Sequence, residues 1–136
     1  MKITLIGLGV REGDMSMRAV NALTSGAKVL ARTALAPSFA SVKDYGAQPL
    51  DELFARSRNF DTLNRRLAKA VLDAAKQQDV VYCVDGAVCE DNACKIILAR
   101  HRDTEVIEGV SKAARAACLA KVKGSQVTGL SADDIK

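Results

Sequence analysis

Ile3-Thr4-Leu5-Ile6-Gly7-Leu8-Gly9-Val10-Arg11-Glu12-Gly13-Asp14 is the stretch on which the fold of this chain turns. An apolar, largely β-branched run, Ile3 to Ile6, empties directly into three glycines and an aspartate, and a helical pattern starts at Ser16. That order predicts a strand feeding a ligand loop. In open α/β sheets ligands gather at the carboxyl ends of strands, where loops and the positive ends of helices converge.

Downstream of the loop, Ser16 is placed to cap a helix carrying Ala19, Val20 and Leu23 at helical spacing, with Gly26 as its stop. Residues 27–31 read as a second strand, with Arg32 and Thr33 at its carboxyl end, and Pro37 closes the element. Between Ser38 and Phe60 the signals are mixed: short helices are expected over 38–43 and 50–56, punctuated by Gly46 and Pro49. Asp61 is expected to cap the clearest helix, whose apolar stripe is Leu63, Leu67, Ala70, Val71 and Ala74.

Val80-Val81-Tyr82-Cys83-Val84 is continuously apolar rather than alternating, as in a central strand covered on both faces. It ends in a second ligand-type turn, Asp85-Gly86-Ala87. A helix over 91–101 is expected to turn Cys94, Ile97 and Leu98 inward. A strand over 104–107 and a third turn, Glu108-Gly109-Val110-Ser111, follow, with Ser111 capping an alanine-rich helix that runs to about residue 121. The alternation predicts an α/β fold, an open, mostly parallel sheet with right-handed crossovers and helices on both faces. Residues 124–130 read as a loop, and Ser131-Ala132-Asp133-Asp134 as a capping box opening a further helix. A domain over 1–122 followed by a linker and the start of a second unit over 123–136 is therefore expected.

Composition narrows the class. The 136 residues, 49% of them hydrophobic and 26% charged, suit one globular unit whose core is built from Ala, Val, Leu and Ile, since Trp is absent. No apolar run approaches the roughly 20 residues of a membrane span, and Gly7 and Gly9 interrupt the N-terminal one, so a cytoplasmic protein is expected. Cys83, Cys89, Cys94 and Cys118 are read as reduced thiols. Cys89 and Cys94 lack a second metal-type pair, so no metal site is assigned. The net charge of +4 is spread partly along one helix, at Arg65, Arg66, Lys69 and Lys76, without interleaved aromatics; that describes a solvated face rather than a nucleic-acid surface. His101, at a helix end, reads as a solvated or dipole-facing side chain.

The first loop is G-x-G-x-x-x-G, not the G-x-G-x-x-G of dinucleotide binders, and an acidic residue about 20 positions later is missing. Arg32 stands near that position and keeps an NADP site open as an alternative. No G-x-x-x-x-G-K-[ST] occurs, which excludes a P-loop nucleotidase. Glycine at three strand exits, Gly7/Gly9/Gly13, Gly86 and Gly109, points instead to a different small-molecule pocket.

Ile3-Thr4-Leu5-Ile6-Gly7-Leu8-Gly9 followed by Gly13-Asp14 resembles the opening of the tetrapyrrole (corrin/porphyrin) methylases. The resemblance continues through Arg32-Thr33 with Pro37, through Asp79-Val80-Val81-Tyr82 to Gly86, and through Glu105-Val106-Ile107-Glu108-Gly109-Val110-Ser111. It is similar in particular to the branch fused ahead of a MazG-type nucleotide pyrophosphohydrolase, and corresponds to the N-terminal one of the family's two subdomains. Departures are the inserted Val10-Arg11-Glu12, the absence of two prolines around Asp85-Gly86-Ala87-Val88, and Glu108 where a proline is usual.

The resemblance implies a methyltransferase with S-adenosylmethionine as cofactor and a small-molecule substrate, a tetrapyrrole in the family at large. It also implies a cofactor site drawn from Gly7, Gly9, Gly13, Asp14, Asp85, Gly86, Ala87, Gly109 and Ser111. Asp14 or Asp85 would sit near the sulfonium or amino group, or serve simply as turn residues. Methyl transfer needs positioning rather than a protein nucleophile, and no catalytic residue is named. An acidic acceptor would meet Arg11, Arg18 or Arg32. The alternative is a degenerate methylase domain kept as a binding module for a fused or partner MazG-type hydrolase; self-association is expected in either case.

Overall fold

In the computed structural model, which describes residues 1–124, five parallel strands form one sheet. They are β1 (Ile3–Gly7), β2 (Lys28–Ala31), β3 (Gln48–Pro49), β4 (Val80–Val84) and β5 (Thr104–Ile107), in the spatial order β3-β2-β4-β1-β5. The helices are α1 (Met17–Leu23), α2 (Glu52–Arg56), α3 (Phe60–Ala74), α4 (Asn92–Arg100) and α5 (Lys112–Gly124). Short 3-10 turns span Pro37–Ser41, Lys43–Tyr45 and Val88–Glu90.

β4 is central, as its unbroken apolar run predicts: all five of its residues are buried between β2 and β1. Strand alternation then sorts the core into two layers. Ile3, Leu5, Leu30, Val80, Tyr82 and Val84 pack against α3 and α4 through Leu63, Leu67, Val71, Cys94 and Ile97. Ile6, Val29, Ala31, Val81, Cys83 and Ile107 face the other way and meet Ala19 and Leu23 of α1, with Val42 beyond the 3-10 turn. Helices thus cover both faces, as in doubly wound α/β folds.

Several boundaries differ from the sequence reading, each for a local reason. Asn59, not Asp61, caps α3: its side chain accepts from the Thr62 N–H at 2.8 Å, and Asp61 lies inside the first turn. Pro37 opens a 3-10 turn instead of ending an element, consistent with its preset φ and missing N–H. Leu98 is 44% exposed rather than inward, because α4 turns Ala93, Cys94 and Ile97 to the core. β3 escapes sequence reading because it is two exposed residues long and one is proline. The last helix continues through Gly124, the first residue of the loop expected over 124–130; the rest of that loop and the capping box at Ser131 lie outside the described residues.

Cys83, Cys89 and Cys94 are free thiols. Arg65, Arg66, Lys69 and Lys76 lie on the exposed side of α3 and its C-terminal extension. Among the described residues no helix is long and apolar enough to cross a membrane.

Candidate functional site

The carboxyl ends of β1, β4 and β5 meet at a knot of glycines. Gly9 and Gly86 form an antiparallel bridge, Gly86 N–H donating to Gly9 O at 2.7 Å and Gly9 N–H to Gly86 O at 3.1 Å. Leu8 N–H donates to Val84 O at 2.8 Å, so the exits of β1 and β4 are laced together. A Cβ on Gly7 would stand 2.7 Å from the Gly109 nitrogen and 2.9 Å from the Gly86 oxygen, distances that side chains do not adopt. Gly7 and Gly109 are therefore glycine so that two backbones can touch.

The other glycines divide. Gly9, at φ +78°, backs onto the Asp14 side chain. Gly86, at φ +76°, has its open side filled by the Lys112 side chain and Glu90 Oε1. Gly13 does not join the knot: nothing stands where its Cβ would be, and its N–H donates to Ser41 Oγ at 3.1 Å.

Asp14 closes its own loop, its Oδ2 accepting from the Val10 and Arg11 N–H groups at 3.0 Å each. Those two bonds hold its carboxyl below the ordinary aspartate range, helped by Arg115 at 3.6 Å. Asp85 instead pairs with Lys112 Nζ at 3.1 Å. Ser111 accepts from Ala114 N–H at 3.1 Å as the cap of α5.

Two glutamates that sequence reasoning passed over clamp the exits. Glu108 reaches from β5 to the turn after β4, accepting from Val88 N–H at 2.5 Å and Cys89 N–H at 3.2 Å. Glu90 reaches back from that turn to α5, accepting from Lys112 N–H at 2.8 Å, Ala113 N–H at 3.1 Å and its neighbour Ala87 N–H at 3.1 Å. Desolvation would raise the Glu90 pKa, but these donors and the Ser111 hydroxyl outweigh it and hold the carboxyl below the ordinary glutamate value. Ala87 N–H and the first turn of α5 are thus already occupied by protein oxygens.

Beside the knot, on the α3/α4 side, Arg32 Nη1 donates to Asn64 Oδ1 at 3.0 Å and to Asp91 Oδ2 at 3.3 Å, with its guanidinium 5.6 Å over the Phe54 ring. Asp91 also caps α4 through Cys94 N–H at 2.9 Å. Arg18 turns away from the strand exits to Glu105, at 3.2 Å. His101 caps α4 and its Nε2 lies 2.6 Å from Met1 O, a position at the opposite end of the sheet.

Residues 2–129 match the profile of the tetrapyrrole (corrin/porphyrin) methylases, almost the whole chain. This chain belongs to that family. Tetrapyrrole methylases use S-adenosylmethionine as methyl donor. Solved structures similar to this family member include a diphthine synthase (TM-score 0.58, 18% identity, 91% of this chain and 49% of that one). A precorrin-6Y methylase from Archaeoglobus fulgidus (0.58, 21%, 90% and 58%) and a cobalt precorrin-4 methyltransferase (0.55, 17%, 87% and 50%) share the same fold. The chain spans roughly half the length of these structures. Among curated proteins none matches it.

Proposed function

We propose that this chain is the N-terminal part of an S-adenosylmethionine-dependent methyltransferase. The observation that carries this reading is the convergence of the exits of β1, β4 and β5, three stretches distant in sequence, on one glycine knot at the carboxyl edge of the sheet.

The residues present fit such a cofactor at Gly86. There the space beside the backbone is filled by side-chain atoms, the flexible stem of Lys112, about half exposed, and Glu90 Oε1, rather than by backbone. Swinging Lys112 aside gives up one exposed ion pair with Asp85, a loss of about 0–1 kcal/mol. Gly86 and Ala87 would then line the cleft with backbone, and the freed Asp85 carboxylate would face it. When bound, the sulfonium supplies the electrophilic methyl group. The protein's part is to hold that ligand and the acceptor in line, and neither Asp85 nor any other side chain is asked to act as nucleophile. Gly7, Gly109 and Asp14 belong in this reading to the frame, Gly9, Asp85, Gly86 and Ala87 to the ligand wall, and Ser111 to the cap of α5.

The acceptor proposed from the family is a tetrapyrrole. Residues 123–136 would begin a second unit that completes the cleft, and we place the protein in the cytoplasm as a homo-oligomer. Titrating S-adenosylhomocysteine into the chain, and into any longer product of the same gene, tests the reading. Heat on binding that is abolished by Gly86→Val supports it, and silence from a folded extended protein overturns it.

A second reading, a methylase domain retained as a binding module for a MazG-type pyrophosphohydrolase, is favoured by the protein's own Glu90 and Glu108 filling donor positions at the exits. Deleting the domain from such an assembly and finding unchanged hydrolase kinetics and oligomeric state would count against it.

A further inference from the structure

At the amino ends of β1, β4 and β5, the end of the sheet opposite the glycine knot, lies a cleft of about 610 Å³ on the α1 face. Ala19 and Leu23 point α1 at the apolar core of that face. The neighbouring stripe of the same helix, Arg18, Asn21 and Ala22, overlooks the cleft instead. Strand register supplies the floor. Thr4 pairs with Val81 on one side and Glu105 on the other, so the three side chains share one face. Parallel sheets are ordinarily apolar on both faces; this row carries a hydroxyl and a carboxylate. Thr4 is 8% exposed and opens into the cleft, and its hydroxyl has no hydrogen-bond partner among the described residues.

The charges lining the cleft balance. Glu105 takes Lys2 Nζ at 2.7 Å on one carboxylate oxygen and Arg18 Nη2 at 3.2 Å on the other, while Asp79 Oδ1 accepts the Lys2 backbone N–H at 2.8 Å. Two cations against two carboxylates leave no net charge for a bound ion to neutralise. What remains is unmet hydrogen-bonding capacity of both kinds, from the Thr4 hydroxyl, the Asn21 and Gln78 amides and Asp79 Oδ2. An apolar segment laid here would seal the Thr4 hydroxyl without a partner, at the full cost of its desolvation. Among the described residues no aromatic side chain lines the cleft, so a flat ring finds nothing to stack on. Hydroxyl groups, which both donate and accept, match what is present. The volume lies within the ~300–1,000 Å³ of small-ligand sites.

We propose that this cleft binds a neutral polyhydroxylated ligand of mono- or disaccharide size, with one hydroxyl on Thr4 and others shared among Asn21, Gln78 and Asp79. The site is remote from the cofactor cleft and does not rest on the methyltransferase reading.

The test is NMR titration of the isotope-labelled full chain with glucose, maltose and sorbitol, and with glycine and inorganic phosphate as a zwitterion and an anion. Thr4→Val keeps the shape of the side chain and removes its hydroxyl. Asn21→Ala changes an exposed helix position, which keeps the test intact should Thr4→Val fail to fold. Saturable shifts at the amides of Thr4, Ala22 and Glu105 with a neutral polyol support the site, provided that affinity falls about three- to tenfold in each folded variant, the worth of one hydrogen bond. No saturable shift with any polyol, unchanged affinity in a folded variant, shifts confined to Gly86 and Ala87, or tighter binding of glycine or phosphate than of any polyol overturns it.

Discussion

Gly7 and Gly109 meet backbone to backbone, the amide nitrogen of one lying 2.7 Å from where the other would carry a Cβ. This contact locks the exits of two neighbouring strands, β1 and β5, into one frame. Because backbone cannot move aside as a side chain can, Gly7→Ala and Gly109→Ala should each destabilise the fold by about 2–3 kcal/mol, the upper range for overpacking. Gly13→Ala, strained by its φ of +91° but meeting nothing, should cost about 1 kcal/mol. Urea denaturation of the three variants checks the ranking. Equal losses at all three would show that conformation, not contact, is the reason for these glycines.

Glu90 makes stability pH-dependent. Its folded pKa is depressed by the N–H groups of Lys112, Ala113 and Ala87. The stabilisation is therefore fully present above the unfolded glutamate value of about 4.3 and fades as pH falls through the lower folded value. Thermal melts between pH 3 and 6 should show a steeper acid limb for the wild type than for Glu90→Gln. Amide exchange at Lys112 and Ala113 should accelerate over the same range. Parallel limbs would mean that the clamp contributes nothing in solution.

How much of this was readable from residues alone depends on range. β4 announced itself because a strand buried on both faces has no polar side to show, and all five of its residues are in the core. The three glycine turns were visible as exits for the same local reason. Their meaning was not: the partner of Gly7 is Gly109, that of Gly9 is Asp14, and that of Gly86 is the Lys112 side chain. The contacts of Gly9 with Asp14 and of Gly86 with Glu90 Oε1 are short-range; the Gly7–Gly109 and Gly86–Lys112 contacts are not. Glu108 gripping Val88 and Glu90 gripping Lys112 cross 20 and 22 residues, and such contacts leave no periodic trace. Asn59 was missed as a cap because Asp61, two residues on, is also a good capping type.

Thiol reactivity should report the two-layer core. Burial alone pushes the Cys83 thiol up to about 12, and Cys94 is raised further by burial and the neighbouring Asp91. Cys89 is exposed, though desolvation and Glu108 raise its pKa as well. In a Cys118→Ser background, an aromatic disulfide reagent at pH 8 should label one thiol slowly in the native protein and three after denaturation. Rapid labelling of all three without denaturant would contradict the packing of β4 and α4.

Arg32 and Asp91 tie β2 to α4 with side chains only 16% and 7% exposed. Removing one member of such a pair leaves a desolvated charge, whereas removing both removes the problem with the interaction. Asp91→Ala also uncaps α4 at Cys94 N–H, so it should cost about 3–5 kcal/mol. Arg32→Met leaves the Asp91 carboxylate desolvated and takes the donor from Asn64 Oδ1, so it should also cost about 3–5 kcal/mol. In the double variant Arg32→Met/Asp91→Ala the losses should fall short of their sum by 1 kcal/mol or more, in the range of about 0.5–3 kcal/mol for residues in contact. A cycle that closes additively would show the pair to be spectators of each other.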